Sequence, residues 1–218
     1  MSETGKNLAG IPEAVIRRLP IYYRELSLLQ RREVERISSQ ELANRVGVKA
    51  PQIRQDLSIF GRFGQQGYGY RVEELLAAIE RILGLDRQYR LVIVGAGNIG
   101  AAVARYPSFR AKGFEVLSLF DQDERLIGTT IGGVSVRPAW ELESFLESNP
   151  VDIGVIAVPA EEAVPVAKIM VHHGIRGIWN FAPIRIEVPD HVSVEYVNLG
   201  ESLYSLAFQM NLRESKDS

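Results

Sequence analysis

The sequence has no cysteine, and only three histidines and two tryptophans. Without a thiol there is no disulfide, no thiolate nucleophile, no Cys-ligated zinc and no iron–sulfur cluster, and nothing points to an oxidising compartment. A cytoplasmic protein without a metal is expected. No apolar run approaches the roughly 20 residues that span a bilayer. The opening residues Met1 to Lys6 lack the basic segment and apolar core of a secretory signal, so neither export nor a membrane is expected. A strong net charge is missing as well: 25 Lys and Arg against 27 Asp and Glu give −2. The balance conceals an asymmetry, because residues 1–84 carry 13 basic against 10 acidic side chains and residues 85–218 carry 12 against 17. Only the first part suits a polyanion. With 46% hydrophobic and 24% charged residues, the 218-residue chain has an ordinary globular composition. It accommodates one large domain or two of about 80 and 130 residues.

The pattern of apolar residues divides the chain. Residues 11–46 read as helical: Pro12-Glu13-Ala14 opens a segment, Pro20 restarts it, and Ile21, Leu26, Leu28 and Leu29 give an apolar face. Two helical stretches are therefore expected around Pro20. Ser38 followed by Glu41 spells a capping box for the next helix, which Gly47 ends. Ala50-Pro51 starts another helix through Phe60, proline being tolerated in a first turn. Residues 61–70 hold four glycines and read as a hairpin or loop. A helix at 71–83 then leads to a candidate boundary at Gly84 to Arg87. Beyond it, strand-like and helix-like segments alternate, with a short irregular glycine-rich piece at 127–136. This rhythm argues for a parallel, doubly wound sheet. The last segment, 199–211, has apolar residues on more than one side, so such a helix seeks more than one apolar surface.

Leu91 to Val94 reads as a strand, and Gly95-Ala96-Gly97-Asn98-Ile99-Gly100 follows it directly, in the strand–turn–helix order of a dinucleotide fingerprint. Gly95 permits the tight turn, Gly97 has no Cβ to block a pyrophosphate, and Gly100 lets helix and strand pack closely. The phosphates would meet free N–H groups at the helix N-terminus. Asp121 ends the next major strand 21 residues after Gly100, where an acid binds the adenine ribose hydroxyls. Gln122 and Asp123 follow without an arginine, which favours NAD(H) over NADP(H). Val158-Pro159-Ala160 and Asn180-Phe181-Ala182-Pro183 end two later strands and should border the same crevice.

In the first part, Ala43, Gly47 and Ile53 have the spacing of a helix-turn-helix. Its second helix would present Lys49, Gln52, Arg54, Gln55 and Ser58, types that pair with phosphates or base edges in a major groove. Arg54 is the foremost candidate. The glycine-rich 61–70 segment fits a wing, with Arg62 at its base and Gln65 and Gln66 near its tip.

Taken together, Arg18-Leu19-Pro20-Ile21-Tyr22-Tyr23, Gln52 to Gly61, Gly67-Tyr68-Gly69-Tyr70, Gly95 to Gly100, Val158-Pro159-Ala160 and Asn180 to Pro183 resemble the Rex family of redox-sensing repressors over nearly the whole chain. The resemblance implies an α/β protein with an N-terminal winged-helix DNA-binding domain (1–84), a Rossmann NAD(H)-binding domain (85–198) and a C-terminal helix and tail (199–218) swapped between subunits of a homodimer. It also implies repression from palindromic operator double-stranded DNA and release when NADH rises, with NAD+ and NADH as regulatory ligands. Asn198 stands where family members often carry an aspartate, so the charge for an ionic contact to the DNA-binding domain is missing.

Two other functions compete. A small NAD-dependent dehydrogenase needs a proton donor or acceptor facing the nicotinamide, but His172, His173 and His191 read as surface residues and no Tyr-x-x-x-Lys occurs. Coenzyme A is the other candidate ligand, because Val158-Pro159-Ala160 resembles a segment of CoA-binding domains. Against it, Asp121 would point near the 3′-phosphate that CoA carries on its ribose.

Overall fold

The computed structural model describes residues 10–61, 63 and 68–214, and the chain divides into two compact units, Met1–Arg87 and Gln88–Ser218.

The first unit is built on α1 (Glu13–Arg31), which runs unbroken through Pro20. Two separate stretches were expected there. A proline inside a helix loses one hydrogen bond and crowds the preceding turn, at about 3 kcal/mol. Here Leu19, Tyr22, Leu26 and Leu29 are buried on either side of it, and burying each large apolar side chain is worth about 1.5–3 kcal/mol. Burial outweighs the break. After β1 (Arg36–Ile37), the predicted capping box starts α2 (Ser39–Val46). Ser38 Oγ accepts from the Glu41 N–H at 3.1 Å, and Glu41 Oε2 accepts from the Ser38 N–H at 2.9 Å. The bond from the Ser38 N–H, with the Ser38 side chain second, holds the Glu41 carboxyl below its ordinary range. A Ser38→Ala variant should lose about 1 kcal/mol in thermal unfolding, the usual value of such a cap.

Gly47 closes α2 in the left-handed region (φ 74°). Next comes α3 (Ala50–Ser58), which stops two residues short of the expected Phe60. β2 (Tyr70–Arg71) pairs antiparallel with β1 and leads into α4 (Val72–Ile82). Gly69 enters this pair at φ 71°, and a Cβ there would lie 2.6 Å from the Ile37 carbonyl oxygen. The expected wing residues Arg62, Gln65 and Gln66 lie outside the described residues. Leu42, Ala43, Ile53, Leu57, Leu75 and Ile79 complete a core with the buried face of α1.

The second unit alternates β3 (Tyr89–Val94), α5 (Asn98–Ala104), α6 (Pro107–Ala111), β4 (Phe114–Asp121), β5 (Thr130–Ile131), β6 (Val134–Pro138), α7 (Leu142–Ser148), β7 (Ile153–Ile156), α8 (Ala160–His172), β8 (Gly177–Asn180), β9 (Ser193–Tyr196) and α9 (Leu199–Glu214). The sheet order is β5-β6-β4-β3-β7-β8-β9, and every pairing is parallel except that of β5 with β6. The supposedly irregular piece at 127–136 thus contains a two-strand hairpin, and β6 is a full member of the sheet beside β4. Its five residues carry only one that is fully buried, too weak an alternation to show in sequence. The short α6 was also not expected. Apolar clusters cover both sheet faces, as a sheet with crossover helices requires.

Candidate ligand and nucleic-acid sites

Strand order reverses at β3, whose neighbours are β4 on one side and β7 on the other. In open sheets of this kind a crevice forms beyond the carboxyl ends of the strands at such a point. The fingerprint occupies it. Gly95 has φ 96°, and a Cβ on it would stand 2.3 Å from the Ala157 carbonyl oxygen; only glycine lets the turn after β3 pass the end of β7 so closely. A Cβ on Gly100 would meet the Gly95 carbonyl oxygen at 1.8 Å. Gly97 differs from both: it is exposed, and a Cβ there meets nothing within 4 Å. Asn98 is exposed, Ile99 half-buried and Ala96 buried. No side chain caps α5, so its first N–H groups are left for an anion.

Asp121, half-buried at the end of β4, touches the same turn. Its Oδ2 accepts from the Ala96 N–H at 2.6 Å and its Oδ1 from the Asp123 N–H at 2.8 Å. Each carboxylate oxygen has a second lone pair, so both remain open to a ribose hydroxyl. Arg125, four residues on from Asp121, is forked onto Asp123 at 2.7–3.2 Å, which leaves it poorly placed for a 2′-phosphate. On the β7 side, Val158 is half-buried, Pro159 exposed and Ala160 half-buried at the start of α8. Beyond β8, buried Asn180 folds the next turn around itself: its Oδ1 accepts from the Ala182 N–H, and its Nδ2 donates to the Ala182 and Ile184 carbonyls. Phe181, held there by its N–H on the Ile156 carbonyl at 2.9 Å, is half-buried against Trp179.

The histidines are placed elsewhere. His172 ends α8, whose first residue borders the crevice, about 18 Å away at 1.5 Å per residue. His191 precedes β9 and so lies at the amino ends of the parallel strands, away from the crevice beyond their carboxyl ends. Among the described residues, no three His, Asp or Glu side chains come together as a metal site, and no helix is long and apolar enough to cross a membrane.

In the first unit, α2 and α3 meet through buried Ala43 and Ile53. Lys49, Arg54, Gln55 and Ser58 are exposed, and Arg54 donates to Ser39 Oγ at 3.0 Å, linking the two helices. Gln52 is half-buried, and the expectation that it faces wholly outward needs correction, because its Nε2 donates to Asp56 Oδ1 at 2.8 Å. Asp56 itself was not foreseen. It is fully buried, bonded twice by Arg18 at 2.6 and 2.8 Å and once by the Tyr22 hydroxyl at 2.6 Å. Burial alone would raise its pKa, but the bonds from Arg18, Tyr22 and Gln52 prevail and hold it below the usual carboxylate range. The Asp56 bond raises Arg18 in turn. Burial, reinforced by the same carboxylate, raises Tyr22. The available signal was a lone acid three residues after Ile53 and just before Leu57, on the inward face of a helix.

A helix-turn-helix with an antiparallel strand pair, joined in one chain to a dinucleotide-type sheet, defines a ligand-responsive DNA-binding regulator. The comparisons agree. Residues 10–58 match the family model described as "Putative DNA-binding protein N-terminus", and residues 86–184 match "CoA binding domain". The redox-sensing transcriptional repressor Rex of Clostridium beijerinckii is 52% identical over 206 residues, 94% of this chain and 98% of that protein. Its counterpart in Clostridioides difficile is 52% identical over 201 residues, 92% and 96%. Among solved structures, RSP in complex with NAD+ and operator DNA is 46% identical with a TM-score of 0.87, covering 97% of each chain. RSP in complex with NADH is 43% identical with a TM-score of 0.89, covering 97% of this chain and 99% of the other. The chain belongs to the Rex family of redox-sensing transcriptional repressors, a family of regulators and not of enzymes.

Proposed function

We propose that this chain works in the cytoplasm as a homodimer, holds palindromic operator DNA through α3 and the wing, and leaves it when NADH occupies the crevice at β3. The observation that carries this reading is the joining of the two sites in one chain, as in RSP, whose structures hold NADH in one case and NAD+ with operator DNA in another. Gly95 to Gly100 would receive the pyrophosphate and Asp121 the adenine ribose. Val158, Pro159, Ala160 and Phe181 would border the nicotinamide. An apolar border disfavours the cationic ring of NAD+ relative to the neutral ring of NADH, because a buried charge without a partner is costly. A ligand with such a preference shifts the population toward the state it binds best, here one released from DNA.

Lys49, Gln52, Arg54, Gln55 and Ser58 would face the groove, joined by Arg62 and Gln65. The dimer contact would be α9, which buries none of its residues in its own chain. Asn198 opens that helix uncharged, its Oδ1 accepting from the Gly200 N–H at 3.0 Å. The match of residues 86–184 to a CoA-binding model favours CoA as a second ligand, but the Asp121 carboxylate opposes a phosphorylated ribose.

The test is a titration of palindromic operators at fixed salt, alone and with NAD+, NADH or CoA. NADH should weaken binding; equal operator affinity with saturating NADH and with none would sink the proposal. Arg54→Ala should weaken operator binding by about 5- to 150-fold, the 1–3 kcal/mol of one good base contact, and spare NADH. Asp121→Ala should do the reverse.

A further inference from the structure

The bond between Gln52 and Asp56 fixes more than a rotamer. A glutamine amide can present either its oxygen or its NH2 group outward, and the two choices read opposite base edges. At this position only one choice is open. The Asp56 carboxylate already accepts from Arg18 and Tyr22, and an ionised carboxylate has no hydrogen to give. The nitrogen of Gln52 must therefore face inward, as it does at 2.8 Å. Its oxygen has no partner among the described residues, and no buried side-chain atom there lacks one; the oxygen is at the surface. Gln52 sits in the first turn of α3, the part of a recognition helix that meets base edges.

We infer that Asp56 is a positioning residue that sets the polarity of Gln52, so that α3 offers an acceptor there and reads the exocyclic amino group of adenine or cytosine in the major groove. The inference rests on α3 being the recognition helix.

The experiment measures affinity for an operator series in which each base pair of the half-site is replaced in turn. The wild-type chain should prefer an amino-bearing base at one position by about 5- to 150-fold. Gln52→Ala should abolish that preference and leave the others. Asp56→Asn frees the amide to turn, because asparagine offers NH2 as well as oxygen, and should flatten or reverse the preference at the same position toward guanine or thymine. Its thermal unfolding and NADH affinity report whether it is folded. A folded Asp56→Asn protein with the wild-type preference, or a Gln52→Ala protein that keeps discrimination at every position, overturns the inference. Arg54→Ala without effect on any operator would instead fail the reading of α3, and the inference with it.

Discussion

An Arg18→Ala chain should lose about 3 kcal/mol from the stability of its N-terminal unit, the low end of the range for a buried pair deprived of one partner. The low end applies because the Arg18 side chain is 23% exposed while that of Asp56 is 0% exposed, and because Tyr22 and Gln52 stay on the carboxylate. The loss arises from a buried charge left with neutral donors alone, so it should depend on pH. In the wild-type fold Asp56 binds its proton less tightly than in the unfolded chain. Its contribution is complete above the unfolded value near 4 and is lost as pH falls through the lowered folded value. Without Arg18 burial is opposed only by the bonds from Tyr22 and Gln52, and the balance moves toward the protonated acid. Urea unfolding of the two proteins should accordingly differ most at neutral pH and converge below about pH 4; a gap that does not vary with pH would mean that Arg18 acts by packing.

Two alanines in one motif should fail in different ways. Gly100→Ala forces a Cβ to within 1.8 Å of a backbone oxygen, with the Ile93 side chain at 3.1 Å on another side. Neither neighbour is a flexible side-chain end, so the second unit should lose about 3 kcal/mol or more. Gly97→Ala meets open space at a helix N-cap, where alanine in place of glycine alters stability by about 1 kcal/mol at most. Its methyl would instead stand in the path proposed for the pyrophosphate. NADH affinity should fall at least about 10-fold, or 1.4 kcal/mol, and operator binding should stop responding to NADH while the melting curve barely moves. Unchanged NADH affinity in Gly97→Ala would place the dinucleotide elsewhere.

What could be read in the sequence was local. The capping box, the glycine that ends α2 and the strand–turn–helix at β3 each depend on residues within a few positions of one another. The hidden features depend on partners far away. Arg18 and Asp56 are 38 residues apart, and no periodicity links them. Pro20 stays helical because of a core assembled from α2, α3 and α4, and β6 is a strand because β4 lies beside it. Gln52 was legible as a polar residue of the second helix of a helix-turn-helix; the direction of its amide was not, since Asp56 sets it.

A final consequence belongs to α9. In its own chain Leu203, Tyr204, Leu206, Phe208 and Met210 are each more than half exposed. At 16 residues the helix is close to the length at which isolated helices are marginal in water. With α9 as the proposed dimer contact, its order becomes a matter of mass action: helix content and melting temperature should rise as the protein is concentrated and fall on dilution, as they do for any element stabilised by association.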